Sequence, residues 1–304
     1  MRVLVTGSTG LIGSALCDAL RSRSDEVIRL VRRQPLAADE LFWDPSAGEL
    51  DQQAVEGFDA VVHLAGAGVG DKRWSQGRRK VIMNSRVEPT RLLADRLANA
   101  VDKPEVFLSA SAIGYYGDRT EPVDESSLPA EPPDFLSSVV TAWEGETAAA
   151  EASCIRVAHM RTGIVLTDKG GALGKLLLPF RAGFGGKLGS GDTWWSWISL
   201  EDEIRAILFL IDNPIQGAVN LTSPNPVTNA EMTKTLGEVL RRPTFVPVPR
   251  IALEALLGKD LAAALLFTSA QVMPAKLEEA GFRFTHTEIE SALRSILQTD
   301  RTGK

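Results

Sequence analysis

Apolar residues along the chain follow two alternating rhythms. Val3-Leu4-Val5, Val27–Val31, Ala60–Leu64, Val106–Ser109, Ile155–Ala158 and Ile164–Leu166 are short apolar runs, the pattern of strands buried on both faces. Between them apolar positions recur at three and four residues. Leu11, Ala15, Leu16, Ala19 and Leu20 share one helical face, and Arg86–Ala98 and Ser137–Glu151 read as further helices. Strand and helix alternating in this way predict an α/β fold built on a doubly wound parallel sheet. After about residue 245 the chain turns helical. Ile289, Ala292, Leu293, Ile296 and Leu297 fit the i, i+3, i+4, i+7, i+8 template. The expected organisation is therefore 1–165 for the sheet domain, with a return segment near 192–222, then 166–245 for substrate-side loops and helices. A smaller, mainly helical C-terminal part over 246–298 would pack on the main domain, with fraying from about residue 299. No internal repeat is evident.

Two segments break the rhythm. Residues 121–134 carry Pro122, Pro129, Pro132 and Pro133 among five acids, which makes a surface loop. Residues 163–191 hold nine glycines, with Lys175, Arg181 and Lys187 among them; long glycine-rich loops in compact domains are often functional.

Composition narrows the setting more than the activity. The 304 residues are 44% hydrophobic and 24% charged, enough to bury a large core without staples. A formal net charge of −6 excludes a general coat for nucleic acid. Cys17 and Cys154 cannot make a disulfide framework. His63, His159 and His286 are far apart in sequence and give no metal spacing. Apolar runs such as Ile204–Ile211 are too short to span a bilayer, and the N-terminus lacks a signal-peptide layout. The expectation is a soluble protein of a reducing, cytoplasmic compartment, with a small-molecule substrate and with neither nucleic acid nor membrane as partner.

The first strand leads into Thr6-Gly7-Ser8-Thr9-Gly10-Leu11-Ile12-Gly13 and then a helix, the order a dinucleotide site requires. Gly7 permits the tight turn, Gly10 lets backbone approach a pyrophosphate, and Gly13 lets the helix pack closely on the strand. The helix N-terminus offers free N–H groups to phosphate. The second strand ends in Arg32-Arg33 where an NAD site would carry an acid, and guanidinium groups suit the 2′-phosphate of NADP(H). The competing reading is a solvated strand end. His63-Leu64-Ala65-Gly66 closes the third strand of this half; its small residues would let backbone lie beside the adenosine, with His63 packed in that layer.

Taken together, Thr6-Gly-x-x-Gly-x-x-Gly13, Leu64-Ala65-Gly66 and Ser109-Ala-Ser-Ala-Ile-Gly-Tyr-Tyr-Gly117 resemble the extended short-chain dehydrogenase/reductase superfamily. Leu178-Pro-Phe180, Gly189-Ser-Gly191, Ser196-Trp-Ile198 and Pro274-x-Lys-Leu-x-x-Ala-Gly-Phe282 are similar to its atypical epimerase-family group, in the NAD-dependent epimerase/dehydratase superfamily, with a small C-terminal domain of unknown function. The resemblance covers about residues 1–298 and implies a Rossmann sheet, an NAD(P) site, a homodimer, and a serine acting with Tyr-x-x-x-Lys. It makes Ser111 the candidate serine and sets Arg161 opposite the nicotinamide end of the cofactor; a surface arginine capping a loop is the alternative.

The chain departs from that pattern at its centre. Tyr115 and Tyr116 are the only tyrosines, and four residues on from them stand Arg119 and Thr120. The helix that should carry the pair reads Phe135-Leu-Ser-Ser-Val139, then Trp143-Glu144, and no lysine lies between Lys103 and Lys169. A phenol of pKa ~10 needs a nearby cation to work near neutrality. Tyr115 is the candidate to act from another position; packing is its competing role. On the substrate side Lys175, Arg181 and Lys187 could hold an anion, and Trp194, Trp195 and Trp197 could stack on a ring or pack between lobes. Glu201, Asp202 and Glu203 open a helix, where acids suit the dipole. Three readings follow: an NADP(H)-dependent epimerase or oxidoreductase acting on a small polar or nucleotide-linked substrate, a non-catalytic NADP(H)-binding sensor or interaction protein, and a sheet whose site binds nothing.

Overall fold

The computed structural model describes residues 1–302. Strands β1 (Arg2–Thr6), β2 (Glu26–Val31), β3 (Glu40–Asp44), β4 (Glu49–Leu50), β5 (Ala60–His63), β6 (Val106–Ala112) and β7 (Arg156–Thr162) belong to one sheet. The short strands β8 (Ile164–Leu166), β9 (Trp194–Trp195) and β10 (Trp197–Ser199) lie outside it, and β11 (Gly217–Leu221) returns to its edge. The order is β11-β7-β6-β5-β1-β2-β3-β4, parallel throughout except for the antiparallel β3–β4 pair. Strand order reverses at β1, between β5 and β2. The loops leaving the carboxyl ends there diverge and open the crevice in which such sheets bind ligands.

Alternate residues of each strand feed opposite layers. Val3 and Val5 join Leu16 and Leu20 of α1 (Leu11–Ser22), while Leu4 joins Leu93 and Leu97 of α2 (Gln76–Ala98). The first of these layers also takes Ile207 and Leu210 of α6 (Leu200–Asp212). Between α2 and α6 in the chain run α3 (Phe135–Gly145), α4 (Ala148–Ala152) and α5 (Gly171–Arg181). The continuous helix expected over 137–151 is thus two helices. Thr147 marks the break: its hydroxyl donates to the Glu144 carbonyl and lies 2.9 Å from His159 Nε2. Helix α2 starts ten residues earlier than the apolar rhythm suggests, because the Ser75 side chain caps it by accepting from Arg78 N–H.

The C-terminal part has no core of its own. Beyond β12 (Val227–Thr228) and α7 (Asn229–Leu240) come α8 (Arg250–Leu257), α9 (Lys259–Ala262), a π-turn over 263–267, α10 (Ala275–Glu279) and α11 (Ile289–Thr302). Leu277 and Phe282 pack into the sheet layer with Ile207 and Leu210. Ile289, Ala292, Leu293 and Leu297 instead share a cluster with Leu236 and Trp197. The segment is a strap over both lobes, fastened by Asp202. That buried carboxylate accepts the backbone N–H groups of Thr285 and His286, each at 2.8 Å, while His286 Nδ1 lies 3.1 Å from Ser199 Oγ. Ser199, Asp202 and His286 have the composition of a nucleophilic triad, but Ser199 caps α6 and both Asp202 oxygens hold backbone, so the trio is a clasp. The backbone is helical to Thr302 although fraying is expected from about 299; residues 303–304 lie outside the described residues. Among the described residues no helix is long and apolar enough to cross a membrane.

One buried group opposes the fold as pH rises. Glu203 is sealed in α6, accepts the Thr162 hydroxyl at 2.9 Å, and leaves Oε2 with no partner. Burial pushes its carboxyl up to about 8, so it folds neutral and is ionised in the unfolded chain above the ordinary carboxylate range. A raised carboxyl favours folding fully below pH ~4.5, and that contribution is lost as pH rises toward 8. Glu203→Gln should therefore melt close to the parent at pH 5 and several degrees above it at pH 8. Thermal unfolding across that range checks this, and parallel melting curves would contradict it.

Candidate functional site

The glycine turn is built by close approach. Gly7 sits at φ +67°, and a Cβ there would lie 2.7 Å from the carbonyl of Leu64. A Cβ on Gly13 would run into the Gly7 carbonyl, so only glycine lets α1 seat on the strand. The N-cap Gly10 supplies no side-chain hydrogen bond, which leaves the first-turn amides of Leu11, Ile12 and Gly13 without a side-chain cap. Thr9 and Gly10 are exposed, and Leu11 and Ile12 are half-buried. The turn after β5 is laced to the same point: Thr6 Oγ1 accepts the N–H groups of Leu64 and Ala65 at 3.1 and 3.2 Å. A cradle that any Cβ would fill, facing uncapped helix amides, fits the pyrophosphate of a dinucleotide, with Leu64, Ala65 and Gly66 forming its opposite wall.

His63 does not reach this wall. Its ring is fully buried, with Nδ1 2.7 Å from Thr6 Oγ1 and Nε2 3.0 Å from Thr90 Oγ1, which also accepts from Trp143 Nε1 at 2.8 Å. Burial pulls its pKa down to about 3, so the imidazole is neutral. Its side chain is a tie between β1, α2 and α3, the packed position expected for it.

At the end of β2 the two arginines part company. Arg33 forks onto Glu40 at 2.7 and 2.6 Å, and Glu40, which also accepts Leu36 N–H, is lowered to about 2, chiefly by the Arg33 hydrogen bond. Arg32 is exposed, and after the Ser46 hydrogen bond its charge helps to lower the Asp44 carboxyl, without a hydrogen bond or ion pair between Arg32 and Asp44. Of the pair expected to take a 2′-phosphate, Arg33 already has a carboxylate, so Arg32 is the open cation. Sequence alone missed Glu40, because it lies on a strand that only the β3–β4 hairpin reveals.

Where the superfamily keeps its reacting groups, this chain has a buried ion pair. Ser111 Oγ donates to Glu144 Oε1 at 2.6 Å. Arg161 grips Glu144 through Nε and Nη2, both at 2.8 Å, and donates from Nη1 to the Tyr116 hydroxyl at 3.0 Å. Tyr116 in turn donates to Asn220 Oδ1 at 2.8 Å. Burial pushes the Glu144 carboxyl up, but the Arg161 hydrogen bonds and charge, with Ser111, outweigh it and hold it below its ordinary value. Burial also drives the Tyr116 phenol up to about 12, against the pull of Arg161. Tyr115 is half-buried with the Arg161 guanidinium 3.4 Å from its ring centroid. Ser111, Tyr115 and Arg161 therefore form one packed cluster, and none of the three lines the adjoining cavity. The Ser111 hydroxyl and the Arg161 guanidinium are thus turned to Glu144, and Tyr115 packs beneath that guanidinium. Glu144 went unassigned, although Ser137, Val140 and Glu144 mark the inward face of α3 and a lone acid there is a signal.

The cavity itself has about 220 Å³ and opens beyond the carboxyl ends of β6 and β7. Ala112, Ile113 and Gly114 line it at the end of β6, Leu136, Val139, Val140 and Trp143 line it from α3, and Ile164 and Trp195 complete it. Val139 thus stands on the wall where the family pattern calls for lysine, and Phe135, at the tyrosine position, packs edge-on against Trp74 instead, with centroids 4.9 Å apart. Trp194 and Trp195 line the space, whereas Trp197 is fully buried with its indole donating to Asn225. Lys175, Arg181 and Lys187 do not line it; Lys175 Nζ donates to Gly70 O near its rim, 3.2 Å away. Among the described residues no cluster of metal-ligating side chains is present.

Comparison with known proteins agrees with the fold. Residues 3–222 match the model of the NAD dependent epimerase/dehydratase family, and residues 248–296 match a domain of unknown function. An epimerase family protein of Mycobacterium leprae is 43% identical over 96% of this chain and 94% of its own length. The crystal structure of human epimerase family protein SDR39U1 with NADPH superposes with a TM-score of 0.89 at 34% identity, covering 98% of this chain and 99% of that one. A nucleoside-diphosphate sugar epimerase from Corynebacterium glutamicum superposes at 0.80 with 36% identity, and this chain spans 58% of its length.

The ion pair sets a stability test. Removing one partner of a buried pair strands the other and costs about 3–5 kcal/mol. Glu144→Ala should lose about that much in urea unfolding, while Glu144→Met with Arg161→Leu should lose distinctly less; equal losses would show that Arg161 is not stranded.

Proposed function

The chain belongs to the NAD-dependent epimerase/dehydratase family and has its NAD(P)-binding fold, and from that premise we propose that it binds NADP(H) beside a small ligand without the family's proton chemistry. The observation that carries this is the cavity wall: Val139 stands where the family's ammonium would be, Phe135 holds the tyrosine position and packs on Trp74, and Tyr116 is locked under Arg161. A bound nicotinamide supplies or accepts a hydride. Moving a hydride on or off a carbonyl carbon also requires a proton at the oxygen, and no side chain facing the cavity is suited to exchange one near neutrality. The glycine cradle orients the dinucleotide, and the apolar walls exclude water. The arrangement supports a binding or sensing role.

Arg32 supports the phosphorylated cofactor, as does the NADPH in the human relative's structure. The second reading, an NADP(H)-dependent oxidoreductase or epimerase on a small polar or nucleotide-linked substrate, has the name of the Corynebacterium relative in its favour. It lacks a proton-transfer group at the cavity.

Two measurements decide between them. NADPH should raise the melting temperature more than NADH at equal concentration, since a ligand selective for the native state stabilises it. A charge-assisted hydrogen bond contributes about 1.5–3 kcal/mol, so Arg32→Ala should weaken NADPH by about 10- to 100-fold and leave NADH nearly unchanged. Arg33→Ala should cost less cofactor affinity, because its guanidinium is already committed to Glu40. Incubation with UDP-glucose and cofactor should give neither epimer nor oxidised sugar; steady turnover would overturn the non-catalytic reading.

A further inference from the structure

The buried arginine beside this cavity, and another on β2, each have a carboxylate. Arg161 holds Glu144, and the partly exposed Arg29 holds Asp39 and Glu40. Arg86 does not. It rises from α2 into the cavity wall, its Nη1 donating to the carbonyls of Ala67 and Ile82 at 3.0 and 3.1 Å and lying 3.4 Å from Ser85 Oγ. Its Nε and Nη2 have no partner among the described residues, and no carboxylate lies within ion-pair distance. The guanidinium rests 5.1 Å over the Trp143 ring, and a Cβ on Gly66 would touch it at 3.4 Å, so its position depends on that glycine. Burial, with Arg78 adding to it, pulls Arg86 down to about 10. The site therefore carries positive charge in low-dielectric surroundings with no counter-ion built in.

The open edge of Arg86 is the same fork, Nε with Nη2, that Arg161 uses to take both oxygens of Glu144. A carboxylate fits that fork in two parallel bonds. The two hydroxyls that line the cavity are already engaged. Ser196 Oγ is engaged with Ala270 and Val272, and Thr268 Oγ1 donates to Ala263. Size restricts the ligand further. An apolar cavity of about 150 Å³ accommodates benzene, and drug-sized ligands need about 300–1,000 Å³. About 220 Å³ corresponds to one ring and a few further atoms. A nucleotide sugar would be too large and would turn its hydroxyls onto Ile113, Leu136 and Val140, each unpaired group costing about 1–3 kcal/mol.

We propose that this cavity binds a small carboxylate with an apolar body of about one ring, the carboxylate held by the Arg86 fork and the body packed among Leu136, Val140 and Trp195. The proposal rests on the reading of the crevice as an NADP(H) site and names the class of ligand that shares it. It does so without assigning a reaction.

Calorimetric titration of the NADPH-saturated protein with benzoate, 3-phenylpropionate, benzyl alcohol and UDP-glucose tests it. The two carboxylates should bind at least tenfold more tightly than the alcohol, and UDP-glucose should not bind. Arg86→Met should lose at least tenfold for the carboxylates, leave benzyl alcohol unchanged, and keep NADPH affinity within about twofold. Leu136→Trp, which fills the cavity, should abolish carboxylate and alcohol binding with NADPH retained. Equal binding of carboxylate and alcohol, preference for UDP-glucose, or a loss of NADPH affinity in Arg86→Met that accounts for the carboxylate loss would each overturn the proposal. If NADPH itself fails to bind, the cofactor reading falls. Benzoate titrated into the protein alone still tests the Arg86 fork.

Discussion

The bidentate contact between Arg161 on β7 and Glu144 on α3 constrains the site more than any other interaction. Two ions held at 2.8 Å inside the protein are stable only while each keeps the other, since either alone would face a large desolvation penalty. Their neighbours are then committed as well. Ser111 turns its hydroxyl to Glu144 and away from the cavity, and Tyr116 is fixed between Arg161 and Asn220 with its proton held to about 12. The guanidinium face covers Tyr115. Three residues that look reactive in sequence are spent in satisfying one buried pair, and the strand-end space they leave is walled by Ala112, Val139 and Val140.

The legibility of the sequence follows the physics of each feature. Strands buried on both faces are largely apolar, so β1, β2, β5 and the first parts of β6 and β7 could be read directly, while the polar ends of β6 and β7 could not. The glycine turn was legible because Gly7 and Gly13 meet steric limits that no other residue satisfies. The β3–β4 hairpin was missed because Glu40, Asp44 and Glu49 interrupt its apolar pattern, and Trp43 is buried by tertiary packing that no local period reports. The 137–151 helix was drawn too long because alanine-rich sequence continues smoothly through Thr147, whereas the bend there answers to His159 on a distant strand. The C-terminal part read as a module because helical periodicity shows which face is apolar and not which neighbour covers it. Its two apolar faces go to two different lobes.

Residue type indicated the candidate site's chemistry, but pairing decides it, and pairing is a property of the fold. Arg32 and Arg33 are adjacent and equivalent in sequence, yet one is open and the other is held by an acid seven residues on. Arg161 and Arg86 are both enclosed, yet one has Glu144 and the other has only carbonyls and one hydroxyl near it. Charge counting along the chain cannot separate these cases, since the partners lie 17 residues away or are absent.

The two open cations divide the crevice. Arg32 stands at the exposed end of β2, where water screens it. Arg86 stands at the opposite side of the glycine turn, behind Gly66 and over Trp143, where screening is weak. A dinucleotide with its pyrophosphate at the uncapped start of α1 would lie between them. If this half-buried cation existed only to steady the fold, a carboxylate from the chain would serve better, as Glu144 does for Arg161. Its fork has no carboxylate from the chain, and an occupant carrying one supplies what the protein withholds.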